Sequence, residues 1–467
     1  MRLLFLLVLL FAAPAMAQVP VVTHHKLDLP GRSLTFTASL GVITLPDDKG
    51  MAEAEVGITA YTLDGADLAK RPVTFAINGG PGAGSAWLEL GALGPWRLNF
   101  DGMSPTMRVE TVPNGETWLD FTDLVFLDPP GTGTARLLAT GEEVRKRYWS
   151  VQGDLEALAQ AMRRWLQVNN RMMSPKAIAG ESYGGFRGPR LARLLPASQG
   201  VAISALVLIS PALDLGLLNR EPDPIMRAGL LPSMAASHRG TIDRAMLADA
   251  EAYARGDYIV DLLRGPRDAA AQDRIAARLA PMLGLDAALI RRLGGKISAF
   301  TYLREHGRAA GVIGSAYDAS VVMPDPFADQ PQSFPPDPML EGLQAPFVSA
   351  LTALHTNTLN VRDSARYQIL NEAVNRAWNW DRFGMPQALS ALRTDLAADP
   401  ALRVLVTHGL TDLVTPYFAT QLMLDAIPDI GAPGRVRLLV LPGGHMSYTR
   451  DNSRAALRDA AQKTIAP

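Results

Sequence analysis

Residues 177–185 decide the fold: they read Ala177-Ile178-Ala179-Gly180-Glu181-Ser182-Tyr183-Gly184-Gly185. The first three are typical of a short buried strand, and Phe186 to Leu195 has the pattern of a helix. A serine flanked by glycines at such a strand–turn–helix junction is held above a parallel sheet. The helix N-terminus behind it favours developing negative charge. We therefore predict that Ser182 is a nucleophile, and the alternative is a purely structural turn.

A serine nucleophile needs a base, and that base needs an orienting acid. Two later stretches supply them, each a strand followed by a loop: Val404 to Asp412, and Leu439 to Met446. Asp412 and His445 then lie just past the carboxyl ends of strands, where the sites of parallel sheets form. The order Ser, Asp, His matches that of proteins with this junction. His408 also ends a strand, but it precedes Asp412 and breaks the order. The alternative for Asp412 is a cap for a helix over 416–427.

A glycine-rich loop, Asn78-Gly79-Gly80-Pro81-Gly82, directly follows the apolar run Val73–Ile77. A loop in this position can supply a backbone N–H to an oxyanion hole, and the residue after the nucleophile, Tyr183, supplies the other. A phosphate-binding loop would require a following Gly-Lys-Ser/Thr, which is absent. Gly131-Thr132-Gly133 lacks the third glycine of a dinucleotide fingerprint.

The strands around these motifs are predicted from short apolar runs, which suit strands buried on both faces. The runs are Val73–Ile77, Leu124–Leu127, Ala177–Ala179, Ala205–Ile209, Val404–Val406 and Val436–Leu441. Residues 33–45 and 53–63 predict an antiparallel hairpin with its turn at 47–50. Ser150 is the expected N-cap of an amphipathic helix that follows it. Alternating strands and helices favour a mostly parallel α/β sheet.

The pattern changes between about residue 214 and residue 400, where strand-like runs become scarce. We expect a largely helical insertion, or cap, over 215–400 because the strand pattern resumes afterwards. A tandem second domain is the alternative. The core would then comprise residues 18–214 and 401–467. Residues 321–346 are rich in proline and are predicted to form an irregular loop.

The first residues are typical of a secretory signal. Arg2 precedes an apolar stretch, Leu3 to Ala13, and Ala15-Met16-Ala17 is a small-x-small cleavage site. We expect residues 1–17 to be removed, so that the mature chain begins at Gln18 in the periplasm or outside the cell. A membrane anchor is the alternative, but the stretch is too short to span a bilayer.

Composition narrows the function further. The 467 residues are 48% hydrophobic and 19% charged, with a formal net charge of −1, which is ordinary for a globular protein. No basic run would follow a phosphate backbone, so a nucleic-acid partner is not expected. The chain has no cysteine, which excludes a thiol nucleophile, a zinc–thiolate site and a lipid-bearing cysteine.

Taken in order, these motifs resemble those of the serine carboxypeptidase family, in particular its exported bacterial members. The matching motifs are the loop at 78–82, Asp128-Pro129-Pro130-Gly131-Thr132-Gly133, the junction at 180–185, Asp412, and Gly444-His445-Met446. The resemblance covers about 70–215 and 400–450. It implies an α/β-hydrolase fold, with a mostly parallel central sheet, helices on both faces and a helical cap insertion.

The resemblance also implies roles for individual residues. Ser182, Asp412 and His445 would form the catalytic triad, while Gly80 and Tyr183 would form the oxyanion hole. Asn78, Gly79 and Glu181 would hold the terminal carboxylate of a peptide substrate, and Met446 would also contact substrate. A buried glutamate beside a substrate carboxylate should have a raised pKa and, when protonated, can donate a hydrogen bond. No metal or organic cofactor is required.

The sequence departs from the family pattern at several positions. Family members carry a second glutamate before a Leu-Gly-Pro, where this chain has Ala92. Glu89 lies one helical turn earlier. Ala83 replaces the usual cysteine, and Arg187 replaces a tyrosine.

The leading hypothesis is therefore a carboxypeptidase that acts on peptides with a free C-terminus. An esterase or acyltransferase would use the same triad. A non-catalytic exported binding protein is the third hypothesis, but such proteins usually lose at least one triad residue.

Overall fold

The computed structural model describes residues 20–100, 104–106, 109–218, 223–330, 335–362, 366–380 and 386–466. The predicted signal, residues 1–17, lies outside them. The strands of the described residues are β1 (Val21–Leu29), β2 (Arg32–Pro46), β3 (Ala52–Leu63), β4 (Val73–Ile77), β5 (Trp96–Leu98), β6 (Thr111–Pro113), β7 (Asp123–Asp128), β8 (Lys176–Glu181), β9 (Ala205–Ile209), β10 (Val312–Gly314), β11 (Val322–Pro324), β12 (Arg403–Gly409) and β13 (Val436–Leu441).

Nine of these strands form one sheet in the order β1-β2-β3-β7-β4-β8-β9-β12-β13. β1, β2 and β3 pair antiparallel, and β3 also pairs antiparallel with β7. From β7 onward every pairing is parallel. The predicted hairpin and the six predicted apolar strands are therefore confirmed as members of a mostly parallel sheet.

Helices cover both faces of this sheet. Alternate residues of β9 show this, because Leu206 and Leu208 belong to one apolar core while Val207 and Ile209 belong to the other. Each residue of β9 is thus buried against one apolar core or the other, which explains the continuous apolar run of this strand. The helices outside the segment between β9 and β12 are α1 (Ala86–Leu88), α2 (Glu142–Tyr148), α3 (Val151–Val168), α4 (Tyr183–Gln199), α15 (Tyr417–Asp425) and α16 (Asp451–Ile465).

The long segment between β9 and β12 is inserted between two strands that are neighbours in the sheet. Apart from the small β10–β11 hairpin, its regular structure in the described residues is helical. Its helices are α5 (Leu215–Leu218), α6 (Pro224–Arg239), α7 (Ala248–Tyr253), α8 (Ile259–Arg264), α9 (Ala269–Leu283), α10 (Ala287–Arg292), α11 (Ala299–Gly307), α12 (Pro338–Asn357), α13 (Glu372–Ala377) and α14 (Leu389–Ala398).

The predicted irregular loop over 321–346 is wrong in both parts, because β11 occupies Val322–Pro324 and α12 begins at Pro338. Asp337 caps that helix by accepting from Met339 N, and proline is tolerated in a first helical turn. The Ser150 cap is confirmed, since its side chain accepts from Gly153 N at the start of α3.

None of the helices in the described residues is long and apolar enough to cross a membrane.

Candidate active site

Ser182 occupies the tight turn between β8 and α4. Its backbone has φ 59° and ψ −121°, an unfavourable conformation for a residue with a side chain. The turn brings α4 very close to β4, and this approach is possible because residue 184 is glycine. A Cβ on Gly184 would lie 2.1 Å from the carbonyl oxygen of Ile77. The structure therefore has the strained strand–turn–helix geometry that the sequence indicated around Ser182.

Asp412 and His445 lie in the loops after β12 and β13 and are hydrogen-bonded to each other. Nδ1 of His445 is 2.8 Å from Oδ2 of Asp412, and both side chains are buried. Oδ1 of Asp412 accepts from the backbone N–H groups of Val414 and Thr415. Oδ2 also accepts from the Thr415 hydroxyl at 2.8 Å, so both carboxylate oxygens are held while Oδ2 orients the imidazole.

The electrostatics of this pair favour a charged imidazole. Burial lowers the pKa of His445, but the Asp412 carboxylate, the hydrogen bond to it and the charge of Glu181 outweigh burial, so that the pKa is raised above its usual value. His408, the competing histidine, has no hydrogen-bond partner at either ring nitrogen among the described residues. Burial lowers its pKa to about 4. The structure thus pairs Asp412 with His445 and leaves His408 outside the pair.

The Ser182 hydroxyl makes no hydrogen bond within the described residues, including none to His445. Ser182 and His445 nevertheless follow strands of one parallel sheet at the same edge, with Glu181 opposite Ile209 and Gly409 opposite Leu441. The structure brings Asp412 and His445 into contact and places Ser182 at the same edge of the sheet.

The two predicted oxyanion-hole donors are the backbone N–H groups of Gly80 and Tyr183. Neither donates to another group within the described part of the chain. The glycine-rich loop closely approaches the nucleophile turn, since a Cβ on Gly79 would lie 2.5 Å from the nitrogen of Tyr183 and 2.8 Å from Cβ of Ser182. Only glycine fits at this position, and both N–H groups remain available to a substrate oxygen.

Glu181, the residue before Ser182, has a network of its own. Oε2 accepts from Asn78 Nδ2 at 3.0 Å and from the Tyr448 hydroxyl at 2.9 Å. Burial raises the pKa of Glu181 to about 7, although the charge of His445 and these two hydrogen bonds oppose the rise. Near neutral pH this carboxyl therefore exists in both protonation states. Met446 is buried in the same loop as His445.

Glu89 does not join this network. Its Oε1 accepts from the Tyr61 hydroxyl at 2.7 Å, whereas Glu181 is bound by Asn78 and Tyr448. Burial raises the pKa of Glu89 to about 8. Ala92 is also buried. Within the described residues, these two buried glutamates thus have raised pKa values and separate hydrogen-bond partners, and no hydrogen bond joins them.

Glu89→Gln should change how stability depends on pH. Below the usual pKa of 4.5, both folded and unfolded chains keep the proton on Glu89. As the pH rises toward 8, the unfolded chain loses this proton first, so the stability that the proton provides is lost. Glutamine does not titrate. The Tm of the variant, relative to wild type, should therefore rise by roughly 2–4 °C between pH 5 and pH 8. Exposed Glu156→Gln is the control, and parallel curves for Glu89→Gln and wild type would contradict the expectation.

The segment Ser315–Ser320 of the insertion packs against the loop of His445. The Tyr317 carbonyl accepts from the backbone nitrogen of His445 at 2.5 Å, and its ring lies edge-on to the imidazole with centroids 5.3 Å apart. Asp318 accepts from Thr411 Oγ1 at 2.7 Å. Sequence reasoning missed Tyr317, and also Tyr448, because no local motif links either residue to the site.

Asp128, from the Asp-Pro-Pro-Gly motif, forms hydrogen bonds to residues on both sides of the site. Its Oδ1 accepts from Ser85 N at 2.7 Å and from the Tyr367 hydroxyl at 2.9 Å. Tyr367 belongs to the insertion, so Asp128 ties that segment to the residues just after the glycine-rich loop.

These features define an α/β-hydrolase: a mostly parallel sheet with helices on both faces and a strained serine turn at the carboxyl edge of its strands. Residues 63–209 match the family model for serine carboxypeptidase. This stretch includes the glycine-rich loop and Ser182, so the predicted resemblance is confirmed there. Together, the fold and the family match identify the protein as a hydrolase.

Other comparisons are more distant. No curated protein sequence matches the chain. Among solved structures, the proline iminopeptidase of Mycobacterium smegmatis is 14% identical, with 91% of this chain and 99% of that chain covered and a TM-score of 0.40. A thermophilic esterase from Thermogutta terrifontis is 14% identical, with 91% and 99% covered and a TM-score of 0.37.

Proposed function

We propose that the protein is a serine-type carboxypeptidase that removes C-terminal residues from peptides. The observation that supports this proposal is the hydrogen-bond network around the buried Glu181 carboxyl, which directly adjoins the turn at Ser182. Asn78 and Tyr448 hold a glutamate whose pKa is raised to about 7. A protonated carboxyl can donate a hydrogen bond to a substrate carboxylate, and an ionised one would repel it.

The reaction follows from the site. Ser182 Oγ attacks the last peptide carbonyl while Nε2 of His445 takes the hydroxyl proton. The carbonyl oxygen becomes an oxyanion that accepts from the N–H groups of Gly80 and Tyr183. His445 then gives its proton to the leaving amine, which departs as the free C-terminal amino acid. Water, deprotonated by His445, hydrolyses the acyl-enzyme and restores Ser182.

The proposed role of Glu181 predicts a particular pH profile. We expect kcat/KM for an N-blocked dipeptide with a free carboxylate to fall above about pH 7, by up to about tenfold per pH unit, because Glu181 ionises. Below neutral pH, kcat/KM should also fall, because protonated His445 is no longer a base. Glu181→Gln keeps a neutral donor and should remove the alkaline decline.

The controls separate the effect of the substrate carboxylate on the rate from the effect of the triad. Glu89→Gln replaces the other buried glutamate and should keep the alkaline decline. The amide of the same dipeptide lacks the carboxylate, so it should be a poorer substrate without that decline. If the acid and the amide are cleaved equally well, the substrate carboxylate is not recognised and the carboxypeptidase proposal fails. If only an activated ester is cleaved, the function is that of an esterase or acyltransferase.

An exported location, periplasmic or secreted, is part of this proposal. It rests on the sequence of residues 1–17. N-terminal sequencing of the protein from its native host should begin at Gln18, and an intact Met1 would contradict export by this signal.

A further inference from the structure

Arg187 and Asp154 form a buried ion pair between α4 and α3. Nε and Nη2 of Arg187 lie 2.7 and 2.9 Å from the two carboxylate oxygens of Asp154, and the exposed fraction of each side chain is 1% or less. Replacing a buried pair by apolar residues often leaves stability unchanged. Stability is therefore a weak explanation for an arginine at this position.

The remaining nitrogen of Arg187 reaches the glycine-rich loop. Nη1 lies 2.5 Å from the carbonyl oxygen of Asn78 and 3.3 Å from that of Gly79. The guanidinium also lies over the Tyr183 ring, 4.8 Å from its centroid. One side chain thus contacts both segments that carry the oxyanion-hole donors.

The geometry of the peptide bond converts this contact into a catalytic consequence. The carbonyl of Gly79 and the N–H of Gly80 belong to the same planar peptide unit, and in a trans peptide they point in opposite directions. Gly80–Pro81 is the cis peptide of the described chain, so the unit before it is trans. Holding the Gly79 carbonyl toward Arg187 therefore aims the Gly80 N–H away from Arg187.

We propose that Arg187 is a positioning residue, anchored by Asp154, that fixes the peptide plane of Gly79–Gly80 and so orients the oxyanion-hole donor. This inference rests on the proposed function for its substrate, although the donor would serve any acyl transfer at Ser182. Arg187 itself does not contact the reacting atoms.

The test is the double variant Arg187→Leu/Asp154→Leu, which removes the clamp without leaving a buried charge unpaired. We expect kcat for an activated ester without a carboxylate to fall roughly 10- to 100-fold, because a small misplacement of a catalytic group has an effect of this size. KM for this ester and Tm should stay close to the wild-type values. Wild-type kcat in the double variant would overturn the inference.

The matched control is Arg304→Leu/Asp325→Leu in the insertion. Arg304 is also a buried arginine that pairs with an aspartate and donates to two backbone carbonyls, those of Phe327 and Gln330. This control should keep its kcat. If the first double variant fails to fold, Arg187→Lys takes its place as the test. Lysine keeps the positive charge beside Asp154 but cannot make all the bonds of the guanidinium, so this variant should also lose kcat. Wild-type kcat in Arg187→Lys would likewise overturn the inference.

Labelling of Ser182 by a fluorophosphonate separates this inference from the proposed function. If the wild type is labelled but releases no amino acid from peptides, the carboxypeptidase proposal fails. The positioning role then still predicts a similar decrease in the labelling rate of Arg187→Leu/Asp154→Leu. Equal labelling rates would reject it. A wild type that is not labelled at Ser182 would contradict both.

Discussion

Ser182→Ala should lower kcat for both peptide and ester hydrolysis by on the order of 10⁶-fold. The variant keeps the oxyanion-hole N–H groups and the Asp412–His445 pair, but it has no atom that can form the acyl-enzyme. The strained turn should persist, because Gly184 and its close contact with Ile77 are unchanged. We therefore expect a folded, inactive protein, measured by single-turnover kinetics alongside thermal unfolding.

Ser447→Ala is the matched control for this variant. Ser447 is buried in the loop of His445, and its hydroxyl has no hydrogen-bond partner among the described residues. Removing it tests whether loss of any nearby hydroxyl affects the rate. Ser447→Ala should remain close to wild type in kcat. A Ser182→Ala variant that keeps substantial activity would show that another group is the nucleophile.

Asp412→Asn should lower kcat by roughly 10⁴-fold through the tautomer of His445. Oδ1 of Asp412 accepts from two backbone N–H groups, at 2.8 and 3.0 Å. An asparagine in this place would keep its oxygen there and turn its NH₂ toward Nδ1 of His445. The imidazole would then carry its proton on Nε2 and could not accept the proton of Ser182. The pH profile of kcat should be measured with the rate.

Asp318→Asn is the control for this change. Asp318 is another buried aspartate beside the same loops, and it accepts from Thr411 Oγ1 and from Arg450. Within the described residues it makes no hydrogen bond to His445, so Asp318→Asn should have a much smaller effect on kcat. Comparable losses in the two variants would mean that general disturbance of the loops, and not the tautomer, explains the result.

Strands buried on both faces could be located from the sequence, and for two of them the ends were also predicted, whereas β8, equally buried, extends to Lys176 and Glu181 beyond the predicted Ala177–Ala179. β4 and β9 have the predicted ends, and every side chain in each strand is buried. β1 was missed for the opposite reason: it is an edge strand that carries His24, His25 and Lys26 and exposes much of its surface. The apolar pattern that identifies a strand is absent there.

The residues of the site also fall into two groups, those that a local motif predicts and those that no motif predicts. Ser182, Asp412 and His445 each lie in a local motif with a strand before it, so their placement followed from sequence. Tyr448 and Asp154 have no such motif. Each becomes part of the site by a contact with a residue far away in the chain, Glu181 for Tyr448 and Arg187 for Asp154. Tertiary packing alone brings these pairs together.

The most direct test of the proposed carboxypeptidase is the amino acid released from an N-blocked dipeptide with a free carboxylate. The purified mature protein and Ser182→Ala would be incubated with it from acid to neutral pH, and the free C-terminal amino acid quantified. We predict release by the wild type, equal in amount to the blocked fragment, and no release by Ser182→Ala. Absence of release by the wild type while an activated ester is cleaved, or equal release by both proteins, would contradict a serine carboxypeptidase that acts through Ser182.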